Sequence, residues 1–200
     1  ALEQYGELNI GNSQVIDYRI RTAVLNNVLY IFYTSNTGAT DKRIRYRTAT
    51  VSYGSNGKDW KLSIHGESSI SVTQSAATVL FAAVMNSQLY IIYSSNRDWY
   101  SISSADGLAF SPGARFFTTS DDPYGPAGAV FQVPDASEGC VERMMIAFIT
   151  SGYTLSYFFF DGKSGYGPYS IPNDVTPSAY SVRLITGTAQ GYTNTRYAIQ

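Results

Sequence analysis

The chain has 200 residues, of which 44% are hydrophobic, 14% aromatic and 14% charged, and its formal net charge is -1. A charged fraction so far below the about 25% of ordinary globular proteins excludes a disordered chain or a charged coiled coil. Because basic residues are not in excess, we expect neither nucleic acid nor an anionic membrane as a partner.

One cysteine and one histidine limit the chemistry of the chain. They exclude a disulfide framework, a cysteine-based zinc site and triads that depend on histidine. No signal peptide is visible and the apolar runs are too short to span a bilayer, so we expect no membrane insertion. Both a cytoplasmic location and secretion after processing are consistent with the sequence.

The first predicted elements follow one another between residues 25 and 60. Residues 25–35 are nearly continuously apolar, which is typical of a strand buried on both faces. Residues 43–47 alternate arginine with apolar side chains and predict another strand. Asn56 and Gly57 then predict a tight turn, because Asn-Gly favours the positive φ that a hairpin needs, and Trp60 follows the turn.

The same order of elements recurs in the next part of the chain. Residues 84–94 repeat the apolar strand and residues 99–103 repeat the strand that follows it. The next turn contains Asp106 and Gly107, and Phe110 occupies the place of the aromatic residue. We expect the residues of such turns to fix the turn and cap the sheet edge, because every repeat needs them. Contact with a ligand is the alternative for these residues.

A third and a partial fourth copy complete the chain. The third comprises the apolar residues 145–151, the strand at residues 154–158, and a turn with Asp161 and Gly162. Residues 195–199 are a worn copy of the apolar strand. Sustained helical periodicity is absent from the sequence, so the predicted fold class is all-β.

Units of four short antiparallel strands are the blades of a β-propeller, and each blade must stack on its neighbours to hide both faces. We therefore predict one domain over residues 1–200, a small propeller of about four blades. The repeats cover roughly residues 17–66, 76–118, 127–172, and 178–200 together with 1–11. The N-terminal strand is expected to close the ring. The alternatives are a fragment of a longer propeller, or a homodimer in which two chains complete one ring.

The repeated pattern resembles the Asp-box or BNR-like repeats of sialidase-type propellers. It consists of an apolar strand, a strand bearing Tyr or Arg, and an Asp/Asn-Gly turn followed by an aromatic residue. In the window of residues 53–60, Ser55 stands where the motif has Asp and Asp59 stands where it has Thr. The resemblance implies a propeller fold, and similar repeats occur in propeller lectins and carbohydrate-binding modules.

Catalysis is not expected from the distribution of charged residues. Generic glycosidases need two carboxyl groups across the scissile bond, whereas the acidic residues here lie mostly in turns and loops. Arg43, Arg45 and Arg47 share one face of their strand and are interpreted as a solvated basic stripe, with an anion site as the alternative. We therefore predict a protein that is not an enzyme and has no catalytic residues, cofactor or metal. His65 is expected in a linker.

The loops opposite the Asp-Gly turns carry the predicted binding site. A sugar stacks its apolar face on an aromatic ring while polar side chains bind its hydroxyl groups. The predicted ligand-binding residues combine both kinds of group and are Asn96, Arg97, Asp98, Trp99, Tyr100, Asp41, Arg43, Asp121, Asp122, Tyr124 and Tyr153. For Trp99 the alternative is packing between blades, and for Arg97 and Asp98 it is a solvated loop or a local ion pair.

The predicted function is that of a lectin that recognises cell-surface glycans or glycoproteins. Several weak sites on one rigid ring would gain avidity on a multivalent surface. The alternatives are a propeller that binds a protein partner and a fragment of a glycoside hydrolase similar to sialidases.

Overall fold

The computed structural model describes residues 20–34, 43–53, 60–74, 77–120, 124–135, 139–150, 154–171, 184–188 and 195–199. Within these ranges all regular structure is β-strand, as the composition predicts. None of the described residues forms a helix with the length and apolarity needed to cross a membrane.

In the part of the chain that the structure describes, the strands form three antiparallel sheets of four strands each and one sheet of two strands. The first sheet contains β1 (Arg21–Leu25), β2 (Val28–Tyr33), β3 (Arg43–Tyr53) and β4 (Trp60–Ser71). The second contains β5 (Thr78–Met85), β6 (Gln88–Ser95), β7 (Asp98–Ser104) and β8 (Ala114–Thr118). The third contains β9 (Tyr124–Asp135), β10 (Gly139–Ile149), β11 (Leu155–Phe160) and β12 (Gly165–Ser170). In the small sheet, β13 (Leu184–Thr188) pairs with β14 (Thr195–Ile199).

A hairpin turn interrupts the repeated segment that we predicted as one apolar strand. Asn26 and Asn27 both have positive φ and separate β1 from β2. Asn86 and Ser87 do the same between β5 and β6. Two successive positive φ angles are the signature of the type I′ turn, whose twist matches that of the flanking strands. The repeated segment therefore spans the end of one strand and the whole of the next.

Strand β6 shows why the repeated segment is apolar on both faces. Leu89, Ile91 and Tyr93 pack in a cluster shared with the first sheet. Tyr90 and Ile92 alternate with them and pack in a cluster shared with the third sheet. The prediction of strands buried on both faces is confirmed for this strand, since successive side chains enter two different cores.

The first strands of the four sheets are neighbours in chain order. Strand β1 contacts β5, β5 contacts β9, and β9 contacts β13. The side chain of Arg21 donates to the Leu80 carbonyl at 2.5 Å, and the Val79 amide donates to the Thr34 hydroxyl at 3.2 Å. The sheets thus lie side by side, and equivalent ends of their strands are next to one another. Closure of a ring by residues 5–10 stays a prediction, because those residues lie outside the described ranges.

Each end of the sheets carries its own kind of connection. We call the end with residues 26–27, 86–87, 105–109 and 161–164 the turn side. We call the other end, where β2 leads to β3, β4 to β5 and β6 to β7, the loop side. The predicted binding residues that the structure describes lie at the loop side, and the turns with Asp106 and Asp161 lie at the turn side.

The prediction that His65 lies in a linker is wrong. Strand β4 continues to Ser71, so His65 lies within a strand, with its Nε2 atom 3.3 Å from the Thr50 hydroxyl. A shift of register between Arg47 and Ala49 lets β3 and β4 pair along their full length. The serine-rich sequence of β4 reflects an exposed outer strand, where polar side chains face water.

Candidate functional site

Asp106 organises the turn after β7. Its Oδ1 atom accepts hydrogen bonds from the backbone amides of Leu108 at 2.8 Å and Ala109 at 2.9 Å. The Ser104 hydroxyl accepts a bond from the Gly107 amide at 2.8 Å. Bonds from the Ala109 and Leu108 amides stabilise the carboxylate and lower the pKa of Asp106. A short side chain that accepts several amide bonds fixes a turn without help from other elements.

Asp161 does the same after β11. Its Oδ1 atom accepts bonds from the Lys163 and Ser164 amides, both at 2.8 Å, and its Oδ2 atom accepts one from the Tyr166 hydroxyl at 2.8 Å. Burial acts to raise the pKa of Asp161, but these bonds, first those from Ser164 and Lys163, outweigh it and lower the pKa. Tyr166, the aromatic residue after this turn, therefore stabilises the turn by donating a hydrogen bond to Asp161.

Each Asp-Gly turn contacts a tyrosine of the preceding sheet. Gly107 has φ 75° and lies against the Tyr30 ring, so that a Cβ at this position would overlap the hydroxyl. Gly162 has φ 105° and lies against Tyr90, whose hydroxyl oxygen would be 2.8 Å from such a Cβ. We call these two pairs the tyrosine–glycine contacts. They join adjacent sheets at the turn side and require a residue without a side chain.

Phe110 also joins two sheets. Its ring meets that of Tyr46 edge to face, with centroids 5.5 Å apart, and it packs against the cluster between the first and second sheets. The aromatic residue after this turn therefore contributes to packing between sheets.

Residues 96–98 form an exposed corner on the loop side. Asn96 has φ 55°, and the Arg97 carbonyl accepts a bond from the Thr119 amide at 2.9 Å. The side chains of Asn96 and Arg97 are exposed to solvent. Asp98 accepts a bond from the Thr118 hydroxyl at 2.6 Å and lies 3.6 Å from a guanidinium nitrogen of Arg115. Asp98 therefore forms the local ion pair that we gave as the alternative to ligand binding.

The structure corrects the prediction that Trp99 stacks on a sugar. Trp99 is 0% exposed and packs between the second and third sheets, with ring centroids 5.0 Å from Phe158 and 5.3 Å from Phe148. A ring enclosed in this way offers no face to a ligand. Tyr100, which points to the other face of β7, stacks on Tyr93 at 5.1 Å and packs against the cluster between the first two sheets.

The basic stripe on β3 is only partly solvated, contrary to our interpretation. Arg43 is exposed, whereas the Arg45 side chain is only 14% exposed and forms a 3.1 Å ion pair with Glu67 of β4. The Tyr33 hydroxyl donates to the same carboxylate at 2.5 Å. Burial, followed by the hydrogen bond to Glu67, raises the pKa of Tyr33 to about 12, so the phenol is neutral at ordinary pH.

This tyrosine–carboxylate–guanidinium cluster was not predicted. Tyr33, Arg45 and Glu67 lie on three strands, and only the register of β3 against β4 brings Glu67 next to the other two. The cluster lies near the loop side, where it holds the ends of β2, β3 and β4 together through charge-assisted hydrogen bonds.

Several predicted residues lie outside the described ranges. These are Asp41, Asp121, Asp122, Tyr153, Asn56 and Gly57. Trp60 and Tyr124 begin β4 and β9, and only their backbone is described. Their roles stay predictions. Within the described part of the chain, no three His, Cys, Asp or Glu side chains cluster in a way that could hold a metal ion.

No protein-family model matches the sequence, and no curated protein matches it. Solved structures do resemble it. The Trypanosoma rangeli sialidase in complex with the inhibitor DANA matches with a TM-score of 0.58 and 14% identity, over 90% of this chain and 33% of that chain. The Trypanosoma rangeli sialidase matches at 0.53 and 16% identity, with the same coverage. Its complex with sialic acid matches at 0.53 and 14%, over 94% of this chain and 33% of that chain.

The chain therefore has a sialidase-like propeller fold, and it spans about a third of the length of these neighbours. At 14–16% identity the likeness concerns the fold. It nevertheless corrects our prediction that the chain is not an enzyme, because the neighbours are sialidases and hence enzymes.

Proposed function

We propose that the chain forms part of a sialidase-like propeller that recognises sialylated glycans on its loop side and takes part in their hydrolysis. The observation that carries this proposal is the likeness of fold to a sialidase over 90% of the chain, with a related structure in complex with sialic acid. Recognition of a glycan is common to this proposal and to the predicted lectin function.

The charge distribution of the described residues supports an acidic sugar as the ligand. Near the loop side stand two carboxylates, Glu67 and Asp98, and the following six arginines: Arg21, Arg43, Arg45, Arg47, Arg97 and Arg115. Sialic acid carries a carboxylate, and a guanidinium group binds a carboxylate through two parallel hydrogen bonds. Basic groups near one end of the sheets also attract anionic ligands from solution.

We assign the first contacts to exposed side chains rather than to Trp99. Asn96 and Arg97 project from the corner before β7, and Arg43 begins β3. An amide and two guanidinium groups supply the hydrogen bonds that a carboxylated sugar needs. Arg45, on the same face of β3 as Arg43, is held in place by its ion pair with Glu67.

The test compares sialyllactose with lactose, which lacks only the acidic sugar. Saturation-transfer NMR measures binding, and chromatography of the reaction mixture measures released sialic acid. We expect sialyllactose to bind at least about tenfold more tightly, because a charge-assisted bond contributes about 1.5–3 kcal/mol. Equal affinity for the two sugars would overturn the proposed recognition, and the absence of released sialic acid would overturn its hydrolytic part.

A matched pair of variants locates the site. Arg97→Gln should weaken the binding of sialyllactose about fivefold or more, since it removes one guanidinium from the loop side. Lys61→Gln removes one charge from β4 near the turn side and should leave binding unchanged. The same loss in both variants would contradict a loop-side site, since net charge alone would then explain the result.

A further inference from the structure

An open cleft of about 340 Å³ lies on the turn side, between the second and third sheets. This volume falls within the range of small-molecule sites. The residues that line the cleft are mostly polar and are Gln88, Tyr90, Ser103, Arg143, Asp161, Gly162 and Lys163. All of them belong to the described ranges, and the cleft lies at the opposite end of the sheets from the proposed glycan site.

Two cations and one carboxylate line this cleft. Arg143 and Lys163 carry the positive charges, and Asp161 carries the negative one. The Asp161 carboxylate already accepts bonds from two amides and the Tyr166 hydroxyl. Its oxygens are therefore already engaged as acceptors within the turn, whereas a guanidinium has five donors and an ammonium has three. The hydrogen-bond donors that stay available in the cleft are therefore mainly those of the two cationic side chains.

Neutral groups add one further donor and several acceptors. The Tyr90 hydroxyl donates to the side-chain oxygen of Gln88 at 3.1 Å, which directs that amide and leaves its nitrogen to donate elsewhere. Ser103 lies on the neighbouring strand, directly opposite Tyr90, and its hydroxyl donates to that of Ser111 at 3.3 Å, so it can serve the cleft as an acceptor. Such groups could bind the hydroxyl or acetamido groups of a larger molecule whose charged end lies against Arg143 and Lys163.

The equivalent place between the first and second sheets is built from the same contact but different neighbours. There Tyr30 lies against Gly107, as Tyr90 lies against Gly162. The residue after the glycine is Leu108 in the second sheet and Lys163 in the third. The first residue of the tyrosine strand is Val28 in β2 and Gln88 in β6. Two apolar positions of one repeat are therefore polar or charged in the next, and both line the cleft.

We propose that this cleft is a binding site for an oxyanion group, a carboxylate, sulfate or phosphate, held by Lys163 and Arg143. The group is either a free ion or the acidic group of a sugar. The site is independent of the proposed function, because the two lie at opposite ends of the sheets and share no residue.

The test follows backbone amide signals of isotopically labelled protein by NMR during titrations at constant ionic strength. The probes are sodium sulfate, N-acetylneuraminate and, as the neutral control, glucose. We expect saturable shifts of the Lys163 and Ser164 amides with both anions and none with glucose. A free ion is the source if the anions bind equally, and a sugar acid is the source if N-acetylneuraminate binds at least about fivefold more tightly. Absence of saturable shifts at these amides overturns the proposal.

Matched variants separate the cleft from general charge effects. Lys163→Leu introduces the residue type that Leu108 shows to be compatible with this turn, and it should weaken anion binding about tenfold. Lys61→Leu loses the same charge near the turn side of the first sheet and should bind as the wild type does. Equal affinities in both variants would overturn the role of Lys163. Sialyllactose binding that depends on Arg97 should persist in Lys163→Leu, so the two proposals can fail separately.

Discussion

Three glycines with positive φ differ in the space around them and so separate the cost of backbone conformation from that of packing. The angles are 80° at Gly139, 105° at Gly162 and 75° at Gly107. A Cβ at Gly139 would meet nothing within 4 Å, and one at Gly162 would lie 2.8 Å from the Tyr90 hydroxyl. At Gly107 it would overlap both the hydroxyl and the ring of Tyr30.

We expect alanine at these positions to destabilise the fold in a fixed order. A residue with a Cβ pays about 1–2 kcal/mol for a left-handed conformation, and this is the whole cost at Gly139. Forced overlap in a packed region adds about 1–3 kcal/mol. The free energy of unfolding should therefore fall by about 1 kcal/mol for Gly139→Ala, about 2 for Gly162→Ala and about 3–4 for Gly107→Ala.

Urea denaturation of each variant measures these differences, and two further variants test their cause. Tyr90→Phe removes the atom at 2.8 Å and leaves the next one, the ring carbon Cζ, at an ordinary 3.5 Å. It should therefore recover about 1 kcal/mol in the Gly162→Ala background. Tyr30→Phe should recover less beside Gly107→Ala, because the ring itself still overlaps. Equal losses at all three glycines would refute the reasoning, since the tyrosines would then contribute nothing.

Three other predictions concern side chains. Because the pKa of Asp161 is lowered in the folded state, its stabilisation is complete above its ordinary pKa of 3.8 and is lost as the pH falls below that value. Asp161→Asn should therefore flatten the acid decline of the urea midpoint, and an unchanged decline would contradict this. Trp99→Ala should lower the free energy of unfolding, measured by urea denaturation, by about 3–5 kcal/mol. Trp99→Phe should still bind sialyllactose. A folded Trp99→Phe variant that no longer binds sialyllactose would show that Trp99 belongs to the binding site. The stabilisation from neutral Tyr33 is complete below its ordinary pKa of 10 and lost as the pH rises towards about 12. An absorbance titration should thus show one phenol ionising near 12 that is missing from Tyr33→Phe, and an identical curve for the variant would disprove the assignment.

The repeats made much of the fold predictable from sequence. Apolar segments bounded by Asp-Gly or Asn-Gly recur at similar spacing, and this alone locates the two inner strands of each of the three large sheets. The worn copy at residues 195–199 coincides with β14. The turn inside the repeated segment was missed, because Asn26-Asn27 and Asn86-Ser87 are not the Asn-Gly pair that marks such turns most strongly.

The site was harder to predict, because in a strand buried on both faces the pattern of apolar residues does not show which side chains face the core. In an alternating strand the apolar positions identify the buried face, but β7 packs against a neighbouring sheet on either side. Trp99 and Tyr100 therefore looked equally suited to a ligand, although one lies deep in the core. The partnership of Tyr33 with Glu67 depends on strand register across a long connection, and no local pattern encodes it.

The tyrosine–glycine contacts also bear on how such a chain can grow or shrink. The first and second repeats carry a tyrosine on the second strand for the repeat that follows, Tyr30 and Tyr90, and the second and third repeats carry a glycine for the one before. Duplication of the second repeat, which carries both Tyr90 and Gly107, thus brings both halves of a new contact, and its deletion would place Tyr30 opposite Gly162. A gene that gains or loses half a repeat leaves one tyrosine or one glycine without its counterpart. Length variation by complete units is the change this contact tolerates.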